Sequence, residues 1–310
     1  MKDGKWITGL TPDLPLTEAA RLVLPVRLQA VLDRLPLAIH SAAHDLEHVH
    51  QLRVATRRAA AAVVLFGDCL PDKRYHKLRR TLRSIRRAAG AARDCDVFME
   101  MLKKAPALQP ASAKAARNVL FGIQIARRYD AQGQLAAIVG MTTKLQRGTA
   151  KLNDVSFAWR DGGNRNCGDL AAERIASLSA EFDLAATPPP ADHEDLHRLR
   201  ILGKRLRYSM EVFAECFVDT LRERLYPAIE EMQEILGGIT DAHVAAHHFI
   251  EIREHVKAFH PTDWPRIRKP VEQLLQAQRR ILPRERKRFL KWLANWKEMT
   301  GESPIESLRR

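Results

Sequence analysis

Residues 49–97 of this chain align on residues 196–244 at a constant offset of 147, without a gap. Of those 49 positions 11 are identical, among them His50/His197, Leu52/Leu199, Arg53/Arg200, Arg58/Arg205, Phe66/Phe213, Cys69/Cys216, Gly90/Gly237 and Asp94/Asp241. Unrelated helical segments of this composition would agree at about three positions by chance. An internal repeat is therefore expected, with two units of similar size packed about a pseudo-twofold axis. The boundaries read as an extension over 1–15, a first half over 16–160, a linker over 161–168, a second half over 169–300 and a tail over 301–310.

The repeated segment is helical in pattern, and so is nearly everything around it. Apolar residues recur at three- and four-residue steps, and alanine, leucine, arginine, glutamate and lysine dominate. Helices are expected near 17–35, 45–67, 72–89, 94–104, 111–150, 167–184, 192–217, 220–237, 241–258 and 264–298. Pro25 and Pro283 fall inside two of them, where kinks or breaks are expected. The fold class is all-α, each half a helical bundle. At 310 residues and 45% hydrophobic content the chain can bury a large core.

On a helical wheel with Leu52 at 0°, Val49, Thr56, Ala59, Val63 and Phe66 fall within about 60° and form a core seam. His50, Arg53 and Arg57 lie at roughly 160°, 100° and 140°, a polar stripe two turns long. His197, Arg200 and Lys204 repeat that stripe in the second half, and Arg207 joins it near 80°. Arg58 and Arg205 stand to one side. The next helix, KRYHKLRRTLRSIRRAAGAAR (73–93), holds nine lysines and arginines and no acid. Arg79, Arg80, Arg83, Arg86 and Arg87 project together from it, and like charges at these spacings repel. Its counterpart in the second half carries Glu230 and Glu234 where the first has Arg83 and Arg87. The excess of 51 basic over 37 acidic residues, +14 in all, favours an anionic partner: nucleic acid, a membrane surface or a phosphate polymer. Arginine's fork binds phosphate oxygens in pairs and keeps its charge at any physiological pH.

At V-H-Q-L-R-V-A-T-R-R (49–58) with Phe66, A-G-A-A-R-D-C-D-V (89–97), L-H-R-L-R-I-L-G-K-R-L-R-Y (196–208) with Phe213, and L-G-G-I-T-D-A-H-V (236–244), the sequence resembles the CHAD family, the conserved-histidine alpha-helical domain. The likeness runs over about 16–300. It implies two four-helix bundles with a basic groove or channel between them, and binding of inorganic polyphosphate, often at polyphosphate granules in the cytoplasm. It places His50, Arg53, Arg57, Arg58, His197, Arg200, Lys204, Arg205 and Arg207 on the phosphate-facing surface; the Arg79–Arg87 cluster joins them on charge and geometry. Two departures stand out: Thr240 replaces the arginine that the first half keeps as Arg93, and acids replace arginines on the second wall. The E-x-E-x-K motif of an attached triphosphate-hydrolysing domain is missing, so a standalone binding domain without cofactor is expected.

Other chemistry is less well supported by the residues. His40, His44 and His48, His193/His197 and His243/His247 step by four, a spacing that can hold zinc, but without an H-E-x-x-H pattern or a cysteine set. Asp94 and Asp96 do not share a helical face well. Asp94 and Asp241 follow a glycine by four residues and read as helix N-caps, with a salt bridge to a groove arginine as the alternative. No nucleophile motif or phosphate-binding glycine loop appears, which leaves a metal-dependent phosphohydrolase with little support. Nucleic-acid binding is the stronger rival, but aromatic residues are not interleaved with the stripes. Cys69, Cys95, Cys167 and Cys216 lack C-x-x-C spacing and read as reduced thiols, the first and last of the four as buried small residues. The opening MKDGKWITGLTPDLP has no apolar signal core, and no apolar run reaches the length of a membrane span.

Overall fold

A computed structural model describes residues 4–42, 44–154, 156–160 and 165–302. The tail beyond 302 and the linker positions 161–164 lie outside the described residues. Helices run in the order α1 (Leu16–His40), α2 (Glu47–Leu65), α3 (Asp72–Lys104), α4 (Lys114–Ala137), α5 (Gly140–Leu152), α6 (Cys167–Ala185), α7 (His193–Phe213), α8 (Tyr226–Phe259) and α9 (Trp264–Glu302). A five-residue π-turn, Leu221–Leu225, leads into α8. Among the described residues no β-strand forms beyond an isolated bridge between Pro15 and Asn166. Side-chain caps start two helices of the second half: Asn166 accepts from the Asp169 amide and Asp192 from the Asp195 amide, each at 2.8 Å.

Several sequence expectations need correction. Residues 72–104 make one helix, not two, and so do residues 226–259. Gly90 and the Gly237–Gly238 pair do not end them. Isolated glycine weakens a helix by about 1 kcal/mol, but here Ala88, Ala89 and Ala92, and Ile235, Leu236 and Ile239, are buried on the flanking turns. Tertiary burial decides the outcome. It follows that Asp94 and Asp241 sit in helix interiors and cap nothing. The single helix expected over 111–150 is interrupted at Ile138–Val139, where two β-branched residues precede Gly140. Pro25 and Pro283 are both accommodated inside continuous helices.

Helix α2 packs on α1, α3 and α7, while α7 packs on α6 and α8. The α2–α7 contact joins the halves, and there the repeat-related rings of Phe66 and Phe213 meet with centroids 5.9 Å apart. One apolar core runs through both halves, from Leu24 and Leu28 on α1 to Phe182 on α6 and Trp296 on α9. A second cluster joins the far ends of α3 and α8 to α4 and α9, with Phe98 against Phe249 at 5.2 Å. Thus α2 and α7 form a floor, α3 and α8 rise from it as walls, and the walls converge at one end. Gly203 permits the close approach of α7 to α8: a Cβ there would fall 2.1 Å from the Met232 methyl and 2.7 Å from Gln233 Nε2. Residues 4–15, ahead of α1, pack against the rest of the chain. Ile7 and Leu10 are buried, the Ile7 amide donates to the Glu211 carbonyl, and buried Arg27 donates to the carbonyls of Gly4 and Lys5.

Candidate functional site

The basic stripes of α2 and α7 meet over this floor. Arg53 donates from one terminal nitrogen to the Gly90 carbonyl at 3.1 Å and to Asp94 at 2.6 Å. Its repeat mate Arg200 lies over Gly237, with a terminal nitrogen 3.5 Å from where a Cβ would stand, and is attracted to Asp241. Each half therefore sets an arginine against a glycine and an aspartate one turn apart on its own wall. Arg57, Lys204 and Arg207 fill the space between.

Electrostatics show how crowded that space is. Burial, and then the neighbouring Arg53 and Arg200, lower the Arg57 guanidinium, while a hydrogen bond with the Tyr208 hydroxyl works the other way. Arg200 is lowered by burial and by Arg53, against the pull of Asp241. Lys204 is displaced furthest: burial, followed by Arg200, Arg57, Arg53 and Arg207, brings its ammonium down to about 6. It makes no hydrogen bond or ion pair with the described residues. Burial would also lower Arg207, but Tyr208, Tyr226 and Glu211 raise it, and its guanidinium lies over the Tyr208 ring at 5.0 Å. The Nε atoms of Arg200 and Arg207 are buried without a hydrogen-bond partner. Unsatisfied buried donors are costly, on the order of 1–3 kcal/mol each. Arg53 and Arg200 each face an aspartate, and Arg207 lies 3.8 Å from Glu211 and 3.9 Å from Glu230, whereas Arg57 and Lys204 have no carboxylate partner among the described residues.

The other predicted residues divide into three groups. His50 and His197 flank the cluster. Burial followed by Arg93 lowers His50, and burial followed by Arg200 and Lys204 lowers His197. Arg58 instead serves the join between halves. Its Nε donates to Glu211 at 2.6 Å, and that carboxylate, fully buried, also accepts from the Tyr226 hydroxyl at 2.8 Å. Arg205 pairs with Glu181 on α6 at 3.1 Å. The Arg79, Arg80, Arg83, Arg86 and Arg87 side chains are all exposed. They lie within about 80° of the Gly90 direction on α3 and extend that face about 16 Å from the Arg53 contact. At its far end Lys73, His76, Arg79, Arg80 and Arg83 line a shallow concavity of about 500 Å³. The facing wall is acidic: Glu230 holds Lys5 at 3.2 Å, and Glu234 is exposed.

Sequence reasoning passed over Tyr208 and Glu211 as functional partners. Tyr208 was accessible to it, since it falls four residues after Lys204 on the same stripe. Glu211 was not, because its partners Arg58 and Tyr226 come from two other helices. Asp94 and Asp96 diverge, the first to Arg53 and the second, buried, to Arg128 at 2.6 Å. Cys69 and Cys216 are buried, and Cys216 lies 3.7 Å from Cys167 as a thiol. Among the described residues no three His, Cys, Asp or Glu side chains converge to hold a metal ion, and no helix is long and apolar enough to cross a membrane.

Fold and site together define an all-α scaffold with a cationic cleft where helices α2 and α3 meet α7 and α8. The CHAD-domain model matches residues 24–249, and the chain belongs to the CHAD-domain family. The structure is similar to that of the CHAD domain from the plant Ricinus communis, at 22% identity over 94% of this chain and 95% of that one, with a TM-score of 0.71. It is likewise similar to PptA from Streptomyces chartreusis, at 16% identity over 90% of this chain and 99% of that one, again with a TM-score of 0.71. No curated protein matches the chain.

Proposed function

We propose that this protein binds inorganic polyphosphate in the cleft and performs no catalysis on it. The observation that carries this reading is the cluster of Arg53, Arg57, Arg200, Lys204 and Arg207, where burial and mutual repulsion lower Lys204, and where Arg57 and Lys204 have no carboxylate partner among the described residues. A chain of phosphates, with one negative charge per unit and no bases to accommodate, relieves both costs together. Membership in the CHAD family supports the same ligand, and the exposed arginines of α3 offer it a continuing path. Of the carboxylates at the cleft, Asp94 is ion-paired with Arg53, while Asp241 is drawn to Arg200 although burial raises it. The symmetry-related sets Arg53–Gly90–Asp94 and Arg200–Gly237–Asp241 support an origin by internal duplication, with halves over 16–160 and 169–300. Localisation to cytoplasmic polyphosphate granules, beside other granule proteins, extends this reading and is checked by imaging a fluorescent fusion against a polyphosphate stain.

The test is a titration of the protein with long-chain polyphosphate, double-stranded DNA and RNA in parallel across a salt series. Polyphosphate should bind tightest, with affinity falling steeply as salt rises, because each contact releases a counterion. Replacing Arg53, Arg57, Arg200 and Lys204 by alanine should abolish most of that affinity in a folded protein. Undiminished binding by this variant rejects the site, and tighter DNA binding at moderate salt rejects the ligand.

A further inference from the structure

The second half lacks the counterpart of Arg93, which in the first half stands beside His50. Thr240 occupies the equivalent position, and the rim there carries imidazoles instead. His193 and His197 lie on α7, His243 and His247 on α8. The rings of His193 and His243 stack face to face, 3.6 Å between centroids and 16° from parallel. His247 lies 4.6 Å from His243, and His197 lies 6.2 Å from His193 on the other side. These four rings form a continuous ladder that begins at His197, one turn from Arg200, and runs outward along the α8 rim. Nε2 of His193 is buried without a hydrogen-bond partner, while the other three residues are exposed.

We infer that this ladder is a protonation-gated anion subsite continuous with the cleft, engaging the phosphate chain when its imidazoles carry charge. The inference rests on the function proposed above and adds to it a titratable arm on the wall where arginine is missing. A face-to-face imidazole pair is comfortable when neutral and repulsive when both rings are cationic. An anion laid along the ladder removes that repulsion, and each imidazolium then donates from both nitrogens. In the free protein, burial and the neighbouring rings lower His193 and His243, and burial with Arg200 and Lys204 lowers His197. Binding must then take up protons, so affinity must rise as the pH falls.

Other groups face the ladder and contribute to the pH response. Asp192, which caps α7, favours charge on His193, and on α7 itself Arg200 and Lys204 oppose charge on His197. On α8 His248 interacts with His247 and is itself influenced by Arg127 of α4 and by Glu251, while Asp241 interacts with Arg200 and Lys204. Asp94 reaches across from α3 to both Asp241 and His248. Protonation of Lys204 or Asp241 would also strengthen binding, so the ladder has to be isolated by variants.

The experiment measures polyphosphate affinity from pH 8 to pH 5.5 at fixed ionic strength, with a chelator present so that no metal bridges the imidazoles. The Lys204→Arg protein, in which Lys204 no longer titrates, is compared with the same protein carrying His193→Gln, His243→Gln and His247→Gln, so that any contribution of Asp241 is common to both. Each linked proton contributes up to about tenfold per pH unit. Tightening of the His-containing protein by about tenfold or more toward pH 5.5 is expected, with the variant losing at least half of that gain on a logarithmic scale. Calorimetry in two buffers of different ionisation enthalpy should show fewer protons taken up by the variant. Identical pH slopes and proton uptake overturn the ladder and leave the proposed function intact. No polyphosphate binding at any pH overturns both.

Discussion

Substitution of Lys204 by methionine should stabilise the free protein while weakening its hold on polyphosphate. In the folded chain Lys204 titrates near 6, pushed down by burial and then by four guanidiniums, whereas in the unfolded chain it titrates near 10.5. The folded state therefore binds fewer protons than the unfolded state between those values, so this residue's contribution to stability rises with pH across the window. The penalty is complete below pH 6 and gone above pH 10.5. One pKa unit corresponds to about 1.4 kcal/mol, so the displacement at pH 7.5 converts to roughly 4 kcal/mol. Discounting for the solvent that still reaches this partly buried ammonium leaves about 2 kcal/mol. For a chain of this size that raises Tm by about 4 °C. Thermal unfolding at low salt should show the gain, largest near pH 6 and shrinking toward pH 10, where any apolar benefit of methionine alone persists. Saturating polyphosphate should reverse the order, because wild type gains more from the ligand. A variant melting at or below wild type at pH 6 without polyanion, or a pH-independent difference, refutes the claim that Lys204 is an uncompensated charge.

Three further outcomes test other parts of the structure. Glu211→Gln leaves Arg58 and Arg207 without their buried countercharge and should cost about 3–5 kcal/mol, read from the midpoint of urea unfolding at unchanged slope. Gly203→Ala forces Met232 and Gln233 aside and should cost about 1–3 kcal/mol by the same measurement; a neutral result would show that α7 and α8 have slack. Replacing Arg83, Arg86 and Arg87 by glutamine should lower the salt dependence of polyphosphate binding by up to about three counterions, whereas Glu234→Gln should tighten binding. Equal effects from the two walls would contradict the asymmetry described here.

The stripes, the bundle seams and the one-sided arginine wall were legible in the sequence because helical periodicity alone determines which side chains share a face. Tyr208 could be placed beside Lys204 on the same grounds. Where the two stripes lie relative to each other could not be read from periodicity, because it depends on α2 packing against α7 across 147 positions of chain; only the family resemblance implied a shared groove. The mistaken helix breaks near Gly90 and Gly237 have the same origin. A local preference of about 1 kcal/mol gives way to apolar burial on adjoining turns, and the aspartates read as caps become partners of Arg53 and Arg200.

Residue order by itself determined that this chain is helical, that residues 49–97 align on residues 196–244, and that two rows of cations stand apart from its apolar seams. Only tertiary packing decided which cations share a cleft and which are neutralised. Arg57 and Arg58 are neighbours on one helix, yet Arg58 is joined to buried Glu211 while Arg57 faces Arg53 and Arg200 with no carboxylate of its own among the described residues. Charge is a property of each side chain, but the energy of a charge depends on the burial and neighbours that folding assigns to it.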